Sequence, residues 1–578
     1  MSSNLYRFRY DEYGSTKEIV VYANGESARS SRFINKGTAF NSEERKSIGL
    51  EATLPPSVRS LADQVASCQR LVDDKDNDIE RYIFLRSLFN RNVTLAHALI
   101  RTDIEKYIKL IYTPTIALAV QQYSSMFRQA NGLHFYPGNI DQAEDILRRF
   151  ACRDIRLAVV TDNHGILGLG DQGAGGIAVC LGKLMIYTQG AGIAPWHCLP
   201  ISLDVGTNNE QLLADKNYLG WRQKRLEGEE YLSFVGRFVR AFRNVFPNAL
   251  CQWEDFSPKT AFSILDAFED ELISFNDDIQ GMGAIAASAI LSAAKVRNVS
   301  FEDQVFLIHG SGTGGIGIAR TIFDILRSRG LSEEEACEKI YVIARDGLVS
   351  TKKEYPYYKR QFCKNPDRHP WMNALEANDV ATIIEKARVT VLIGTTGHEF
   401  FFNEDTVTAI KKNCDRPLIM PLFQHVSTSA ELCRRIVKWS QEGVLFATGN
   451  PCSTMDELAK APGISQCNNA LMYPGIALGV LAAGASEIVP EFFIEAAMAI
   501  SDMLTEEQLK AGKVMPSLGE LRNVAKSVAL AVALCAVEKG LSRPCVFSDF
   551  QPNGDASRMA RLIDRIRWRP EYLPLTPM

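Results

Sequence analysis

Two short acidic segments are the parts of this chain best suited to chemistry. They are residues 253–256 (WEDF) and 275–280 (FNDDIQ), and each continues an apolar, strand-like run. Carboxylates in apolar surroundings are costly to desolvate unless a cation shares the site. Because neither segment carries His or Cys, their oxygen ligands favour Mg²⁺ or Mn²⁺ over zinc. One acidic pair alone is usually a solvated turn, but two such pairs predict a metal-assisted enzyme.

A glycine fingerprint of the form GxGxxG lies at Gly310, Gly312 and Gly315. It directly follows the apolar run 305–308 and opens a helical pattern, so its backbone can approach a pyrophosphate at the helix N-terminus. The sequence therefore predicts that this turn binds a dinucleotide. A second match, within residues 168–173, follows its strand only after a loop, and a plain glycine turn is the simpler explanation there.

The end of the next predicted strand bears on the choice between NAD and NADP. The strand 340–344 ends at Ala344, where an acidic residue normally binds the ribose 2′-hydroxyl, and Arg345 follows. Loss of the acid and gain of a cation favour the 2′-phosphate of NADP, although Asp346 is still able to reach the ribose. The cofactor is therefore predicted as NAD or NADP, with Arg345 among its contacts.

Lys183 is a lone cation within the apolar helical run 177–188. A lysine among apolar neighbours is more often a surface residue whose stem lies along the apolar face. If Lys183 is buried instead, desolvation lowers its pKa and makes the amine a usable base. The spacing leaves both interpretations open.

Strand-like and helix-like segments alternate along the chain, which predicts parallel α/β sheets. The fold class is predicted as α/β, with an N-terminal helical region, a parallel α/β substrate domain, a Rossmann-type NAD(P)-binding domain and C-terminal helices. The predicted strands are 155–160, 198–204, 249–253, 272–275, 305–308, 340–344, 389–393 and 417–420. The predicted helices are 78–89, 92–108, 177–188, 283–295, 316–329 and 524–537.

These patterns divide the chain into four parts. Residues 1–130 are predicted as a mainly helical domain, and 131–280 as the substrate and metal domain, completed by about 468–540. Residues 281–467 are predicted as the NAD(P)-binding domain. The tail 541–578 contains Pro and Arg and is predicted as a surface wrap or an oligomer contact.

Composition argues against several classes of partner. The net charge of −4 gives no reason to expect nucleic acid or an anionic membrane surface. The longest apolar stretch, residues 283–294, is too short and too rich in Ala and Ser to span a bilayer. The 13 cysteines are scattered without a CxxC pair, which predicts reduced thiols and a cytoplasmic protein.

Several motifs taken together resemble the malic enzyme family, the oxidative decarboxylases of malate. The resemblance extends from Asn35 to about Gly540. It implies a malate-converting enzyme that uses NAD or NADP and Mg²⁺ or Mn²⁺, and that forms a homotetramer or homodimer. The motifs are 35–40 (NKGTAF), 111–115 (IYTPT), 182–184 (GKL), 203–209 (LDVGTNN), 253–256 (WEDF), 275–281 (FNDDIQG), 467–470 (CNNA) and 473–475 (YPG).

The resemblance also implies a role for each matching residue. In the implied reaction a lysine takes the proton of the C2 hydroxyl as hydride leaves, CO2 is lost, and a tyrosine protonates the product at carbon. The implied residues are Glu254, Asp255 and Asp278 as metal ligands, Lys183 as base with Asp277 as its ion-pair partner, Tyr112 as acid, Asn468 as a cofactor contact and Asn469 as a substrate contact.

Two departures from the family pattern concern the substrate. Gly165 stands where malic enzymes carry an arginine that binds a malate carboxylate, and a protonated His164 is one possible substitute. Gln424 lies where the family has Ser-Asn-Pro-Thr. Gly165 and Gln424 are therefore predicted substrate positions with altered chemistry.

These departures leave alternatives open. Glycine at the arginine position also resembles malolactic enzymes, which convert malate to lactate with a retained NAD, whereas Thr113 is typical of malic enzymes. A related decarboxylating dehydrogenase with another 2-hydroxy acid as substrate is a further possibility. The last is an idle homologue that binds nucleotide in a regulatory or structural role.

Overall fold

Three β-sheets organise the chain, whose computed structural model describes residues 5–375, 379–396, 401–423, 426–440, 443–449, 463–546 and 550–578. The strands are β1 (Tyr6–Tyr10), β2 (Thr16–Val21), β3 (Leu133–Phe135), β4 (Leu157–Thr161), β5 (Cys198–Leu203), β6 (Leu250–Trp253), β7 (Ser274–Asn276), β8 (Phe306–His309), β9 (Ile340–Ala344), β10 (Gly347–Leu348), β11 (Val391–Gly394), β12 (Leu418–Pro421), β13 (Leu445–Thr448), β14 (Ile464–Gln466) and β15 (Leu575–Pro577).

Helices connect and cover these strands. They are α1 (Gly25–Ser30), α2 (Ser42–Ile48), α3 (Leu61–Asp73), α4 (Asp78–Arg91), α5 (Val93–Arg101), α6 (Ile104–Ile111), α7 (Thr115–Gln121), α8 (Tyr123–Met126), α9 (Ala143–Arg148), α10 (Ile177–Gly190), α11 (Glu210–Ala214), α12 (Gly228–Val245), α13 (Pro258–Phe268), α14 (Met282–Arg297), α15 (Thr313–Ser328), α16 (Glu333–Glu338), α17 (Tyr357–Arg360), α18 (Val380–Ala387), α19 (Glu404–Asn413), α20 (Val426–Ser440), α21 (Tyr473–Ala483), α22 (Pro490–Asp502), α23 (Glu506–Lys510), α24 (Leu521–Glu538) and α25 (Ala556–Ile566).

The five-stranded sheet brings the two acidic segments to one edge. Its order is β3-β5-β4-β6-β7, and every neighbouring pair is parallel. Val160 pairs with Trp253, and Trp253 pairs with Asn276. Three adjacent strands therefore end at the same level, so that Glu254 and Asp277 follow side by side next to the loop after β4.

The seven-stranded sheet has the Rossmann-type arrangement that the sequence predicts. Its order is β10-β9-β8-β11-β12-β13-β14, and only the short β10 runs antiparallel to its neighbour. The chain passes from β8 to β9 on one side and later returns to β11 on the other. The glycine turn after β8 therefore lies at a topological switch point, where α/β sheets bind ligands.

One predicted helix is broken. The apolar spacing predicts a single helix over 92–108, but α5 ends at Arg101 and α6 begins at Ile104. The Asp103 side chain accepts a hydrogen bond from the Lys106 backbone N at 3.0 Å, which caps α6. The Thr102 hydroxyl donates to the backbone of α5. The prediction of one helix is wrong because these local bonds compete with helix continuation.

The two ends of the chain meet in a unit that the sequence did not predict. β1 and β2 form a hairpin, and β15 adds to β2 in parallel. In α25 the side chains of Met559, Leu562 and Ile563 are buried, and Arg567 donates to the Gly190 carbonyl oxygen at 2.9 Å. The tail is therefore built into the fold, and a surface wrap describes it only in part.

The stretch Asp277–Arg297 is long and apolar enough to cross a membrane by length and composition alone. However, 78% of its most apolar window is buried inside the protein. Core helices of globular proteins pass the same test. The stretch contains the buried helix that the sequence predicts over 283–295.

Candidate active site

Three carboxylates converge where β6 and β7 end. One oxygen from each of Glu254, Asp255 and Asp278 lies within 4.8 Å of the others. Burial raises the pKa of Glu254 and Asp255 well above their ordinary values, and repulsion from Asp278 adds to this rise. Burial also raises the pKa of Asp278 to about 6. The structure thus brings the three predicted metal ligands together, and this oxygen donor set fits a divalent cation of the Mg²⁺ or Mn²⁺ type.

Backbone groups hold these carboxylates in place. Asp255 has a left-handed backbone with φ of 56°, and its N–H donates to Asp278 Oδ2 at 2.7 Å. The N–H of Leu167, in the loop after β4, donates to Asp255 Oδ2 at 3.2 Å. Contacts from two loops therefore orient Asp255 and Asp278 before any ligand binds.

Gly165 lies against the ligand-bearing loop. Its N–H donates to the Asp255 carbonyl oxygen at 2.6 Å. A Cβ at this position would lie 2.8 Å from the Phe256 carbonyl oxygen and 3.0 Å from that of Asp255. The observed backbone thus has no room for a larger residue at 165, where the resemblance implies an arginine. The predicted role of Gly165 as a substrate position stays a prediction.

His164 does not replace the charge of the missing arginine. Burial lowers its pKa, and nearby Arg225 lowers it further, so the imidazole is neutral at pH 7. Arg225 itself pairs with Asp162 Oδ2 at 2.9 Å and is buried. Because Asp162 directly follows β4, this ion pair holds the loop after β4 in place.

Lys183 lies in the middle of α10 and is only 2% exposed, so the surface interpretation is wrong. Its ammonium contacts the Asp277 carboxylate and lies 2.6 Å from Glu254 Oε2. Burial alone lowers the pKa of Lys183, but Asp277 and Glu254 outweigh burial and hold the pKa well above its ordinary value. The predicted pKa lowering is therefore wrong for this cluster of one amine and several carboxylates.

Unpaired polar atoms surround Lys183. Asn469 Nδ2 donates to Asp277 Oδ2 at 3.0 Å, whereas the buried Asp277 Oδ1 has no partner among the described residues. The Tyr473 ring centre lies 4.9 Å from Lys183 Nζ, and the buried Tyr473 hydroxyl likewise lacks a partner in the part of the chain described. Buried polar atoms are normally hydrogen-bonded, so both atoms are available to bond to a ligand or to an ordered water.

Tyr112 follows α6 and packs against α10. Its ring carbon Cδ2 lies 3.3 Å from the position that a Cβ would take at Gly182, the residue before Lys183. Burial raises the pKa of Tyr112 well above its ordinary value, although Lys183 opposes the rise. The phenol therefore keeps its proton near neutral pH, as a proton donor must.

Two residues that the sequence analysis did not single out hold Glu254. Gln252 Nε2 donates to Glu254 Oε2 at 2.7 Å, and the Tyr187 hydroxyl donates to Gln252 Oε1. The spacing of each residue from a predicted site residue could have identified it in the sequence. Gln252 and Glu254 are two residues apart at a strand end, and Lys183 and Tyr187 are four apart on a helix, so each pair shares a face.

The glycine fingerprint at residues 310–315 forms a tight turn into α15. Gly310 has a φ of 113°, and a Cβ at Gly315 would lie 1.7 Å from the Gly310 carbonyl oxygen. At Gly312 the nearest atom to such a Cβ is 3.8 Å away. Gly310 is therefore required by its backbone conformation and Gly315 by packing, whereas Gly312 leaves the backbone open to a pyrophosphate.

Helix α15, which follows the Gly310 turn, packs directly on the acidic segment 275–280. A Cβ at Gly317, on α15, would lie 2.1 Å from the carbonyl oxygen of Ile279. Ile279 belongs to a π-helical turn, Asp277–Gly281, which also carries Asp278. The helix that follows the candidate dinucleotide turn and the turn that carries the candidate metal ligand Asp278 are therefore in direct contact.

The remaining predicted residues have different surroundings. Arg345 is exposed just beyond β9, at the edge of the sheet where Gly310 follows β8. The Asn468 side chain accepts a hydrogen bond from the Ala470 N–H at 2.9 Å and caps a short helical turn. Gln424 lies outside the described residues. The roles of these three residues stay predictions.

Two family models match the chain. The model for the malic enzyme N-terminal domain matches residues 89–269, and the model for the malic enzyme NAD-binding domain matches residues 279–537. The NAD-dependent malic enzyme of Sodalis glossinidius is 34% identical over 97% of this chain and 98% of its own length. That of Shewanella frigidimarina is 35% identical over 94% of this chain and 95% of its own length.

Solved structures share the fold. Entamoeba histolytica malic enzyme is 18% identical with a TM-score of 0.52, over 90% of this chain and 91% of its own. The malic enzyme from Pyrococcus horikoshii is 19% identical with a TM-score of 0.51, over 80% of this chain and 89% of its own. Because matches to both family models cover most of the sequence and the relatives extend over nearly all of it, this chain belongs to the malic enzyme family.

Proposed function

We propose that the protein catalyses the oxidative decarboxylation of malate to pyruvate and CO2, with NAD as the hydride acceptor and a divalent cation as a cofactor. The observation that carries the proposal is the buried Lys183 ammonium in contact with Asp277 and Glu254, beside Asp255 and Asp278. An amine next to a carboxylate metal site suits removal of a proton from a hydroxyl group. The relatives from Sodalis glossinidius and Shewanella frigidimarina, both NAD-dependent malic enzymes, support the same reaction.

Two bound groups would supply chemistry that the side chains lack. A divalent cation held by Glu254, Asp255 and Asp278 would polarise the C2 hydroxyl and, as a positive charge beside Glu254, would lower the pKa of Lys183. A dinucleotide at the Gly310 turn would accept the C2 hydride. The raised pKa values of the carboxylates support the first assignment.

Lys183 is proposed as the general base. Its Nζ takes the proton of the C2 hydroxyl while the hydride leaves C2, which gives a 2-keto acid. Asp277 keeps the amine in position, and Asn469 in turn holds the Asp277 carboxylate. Burial of Lys183 excludes water that would otherwise compete for the proton.

Tyr112 is proposed as the general acid. Loss of CO2 from C4 leaves an enolate with excess electron density at C3, and the Tyr112 hydroxyl donates a proton there to give pyruvate. The high pKa of Tyr112 keeps that proton available until C3 becomes basic. The proton gained by Lys183 balances the one given by Tyr112.

The choice of NAD rests on the family model and the names of the relatives. Arg345 is exposed where a 2′-phosphate contact was predicted. Arg345→Ala tests this contact. We expect unchanged kcat/KM with NAD, and a loss confined to NADP if the predicted contact exists.

The malolactic reaction is the second candidate because of one observation. The backbone at Gly165 has no room for the arginine that binds a malate carboxylate in malic enzymes. Without that arginine, the malate carboxylate must be bound differently, and glycine at this position resembles malolactic enzymes. Both reactions use the same base and the same acid.

The test is to incubate the purified protein with Mn²⁺, malate and either NAD or NADP, and to measure absorbance at 340 nm, pyruvate and lactate. We expect one NADH per pyruvate. Lactate without net NADH would support the malolactic reaction instead. Turnover of neither kind, with intact nucleotide binding, would favour the idle homologue.

A matched pair of variants assigns any activity to the site. Lys183→Met should lower kcat by about 10²- to 10⁴-fold, because a general base contributes about that much. Lys224→Met should have no effect, since Lys224 is exposed and its one ion pair among the described residues is with Glu210. We also propose that the protein forms a homotetramer or homodimer and that it is cytoplasmic. The free thiols of all described cysteines support the reducing compartment.

A further inference from the structure

Helix α13 begins directly after two candidate metal ligands and next to the glycine turn. Ser257 caps this helix two residues after Asp255, and its hydroxyl accepts a hydrogen bond from the Thr260 N–H at 3.3 Å. Pro258 follows, and its Cγ is the nearest atom, at 3.8 Å, to the position that a Cβ would take at Gly312. The start of α13 therefore lies close to both candidate sites.

A stacked aromatic pair joins α13 to α17. The ring of Tyr358 lies on that of Phe262, with the ring centres 4.4 Å apart and the planes at 13°. Both side chains are buried. The guanidinium carbon of Arg320, on α15, lies 4.6 Å from the centre of the same Phe262 ring. Phe262 is therefore a residue at which α13 meets both α15 and α17.

The residues on either side of Tyr358 form hydrogen bonds in two directions. The Tyr357 hydroxyl donates to the Asp266 carboxylate, towards the C-terminal end of α13. Lys359 Nζ donates to Ser311 Oγ at 2.9 Å, and Ser311 belongs to the glycine turn. Three consecutive residues of α17 thus contact both α13 and the turn that is predicted to bind a dinucleotide.

Two packing contacts link the nucleotide side of the protein to the metal-ligand segments. One is the contact of Gly317 with the backbone of Ile279, which no side-chain truncation removes. The other is the stack of Tyr358 on Phe262, which a single substitution removes. Because stacked rings have a preferred separation and orientation, this pair holds α13 and α17 in a defined relative position.

We propose that Tyr358 is a positioning residue for hydride transfer, because its stack on Phe262 sets the distance between a dinucleotide at the Gly310 turn and a cation at the three converging carboxylates. This inference rests on the proposed function. A misplacement of reacting groups by about 1 Å costs up to about 10²-fold in rate. Tyr358 is buried against Phe262 and acts through α13.

Nuclear magnetic resonance of the full-length protein with NAD and Mn²⁺, in the absence of malate, tests this distance. Mn²⁺ accelerates the relaxation of a nearby proton, an effect that falls steeply with their separation, and Mg²⁺ provides the diamagnetic reference. We expect faster relaxation of the nicotinamide C4 proton in the wild type. At equal occupancy of both sites, Tyr358→Ala should lose this enhancement, whereas Tyr358→Phe, which keeps the ring, should match the wild type.

Separate measurements distinguish positioning from general damage. Electron paramagnetic resonance of free Mn²⁺ and quenching of protein fluorescence by NAD give two dissociation constants, which Tyr358→Ala should leave unchanged while kcat falls by up to about 10²-fold. Phe8→Ala is the matched control, because Phe8 stacks on Trp196 at 4.5 Å and 22° but belongs to the sheet formed by the chain ends. It should keep wild-type relaxation and kcat, whatever its Tm.

Wild-type relaxation in Tyr358→Ala, or an equal loss in Phe8→Ala, would overturn the proposal. So would a large loss of affinity for Mn²⁺ or NAD alone, because Tyr358 would then support a single site. If Tyr358→Ala fails to fold, Tyr358→Leu replaces it with an apolar side chain that cannot stack, and the same outcomes apply. A wild type that oxidises no malate would contradict the proposed function, whereas the relaxation measurement would still test the distance between the two sites.

Discussion

Gln252 donates from Nε2 to Glu254 Oε2 at 2.7 Å, and the same oxygen lies 2.6 Å from the Lys183 ammonium. Glu254 Oε2 thus accepts from an amide and an ammonium at once. Tyr187 fixes the amide from its other side by donating to Gln252 Oε1. Contacts of this kind orient a metal ligand before the metal binds.

Gln252→Leu should therefore weaken Mn²⁺ binding about 10- to 100-fold, the usual effect of removing a group that orients a metal ligand. Free Mn²⁺ measured by electron paramagnetic resonance provides the readout without turnover. Gln304→Leu is the matched control, because Gln304 is also buried but bonds to Thr390 outside the site. Equal Mn²⁺ affinity in the two variants would contradict a role for Gln252.

A double-mutant cycle tests the hydrogen bond between Tyr187 and Gln252. Either Tyr187→Phe or Gln252→Leu alone leaves one buried partner unsatisfied, at a cost of about 1 to 3 kcal/mol. Together they remove both partners, so the double variant should lose less free energy of unfolding than the sum of the single losses. Urea denaturation measures this difference. Strict additivity would mean that the two side chains are not coupled.

The sequence predicted the convergence of the acidic segments because each follows a strand, and parallel strands end at one edge. It did not predict the charge state of Lys183. That state depends on Asp277, 94 residues away, a partner that the family resemblance implied but that no local pattern indicates. The break between α5 and α6 has a local cause instead. The Asp103 side chain caps α6 there, although the apolar spacing continues through residues 92–108 and predicts one helix.

Asp278 predicts how metal binding depends on pH. In the metal-free protein its pKa is about 6 rather than the ordinary 3.8, so the folded state binds an extra proton between these values. The extra proton on Asp278 therefore stabilises the folded state. This stabilisation is fully present below about pH 4 and is lost as pH rises through 6. A cation requires the ionised carboxylate, so the increase in Tm caused by Mn²⁺ should grow between pH 5 and pH 7.

Asp278→Asn checks this assignment. The amide does not ionise, so the contribution of this position to the pH dependence should disappear, and Mn²⁺ affinity should be low at every pH. Wild-type protein in excess EDTA provides the metal-free baseline. A Tm increase with Mn²⁺ that is flat from pH 5 to 7 in the wild type would count against Asp278 as a ligand.

His97 predicts a loss of stability in acid. It is fully buried, and burial lowers its pKa to about 3, so the folded state keeps it neutral. The unfolded chain binds a proton below about pH 6.5, so stability should fall as pH drops from 6.5 towards 3, by up to about 1.4 kcal/mol per pH unit. His97→Leu should reduce this slope. Leu99→Ala, a core truncation in the same helix, should lower stability without changing the slope.

Gly165 predicts that restoring a side chain harms this site. A Cβ there would lie 2.8 Å from the Phe256 carbonyl oxygen, so Gly165→Ala should cost about 1 to 3 kcal/mol of unfolding free energy through overpacking. The same shift should displace Asp255 and weaken Mn²⁺ binding. Gly554→Ala is the control, since its Cβ would meet nothing within 4 Å. If Gly165→Arg instead kept full stability and lowered the KM for malate, the loop would have to accept the family's arginine by moving away from Asp255.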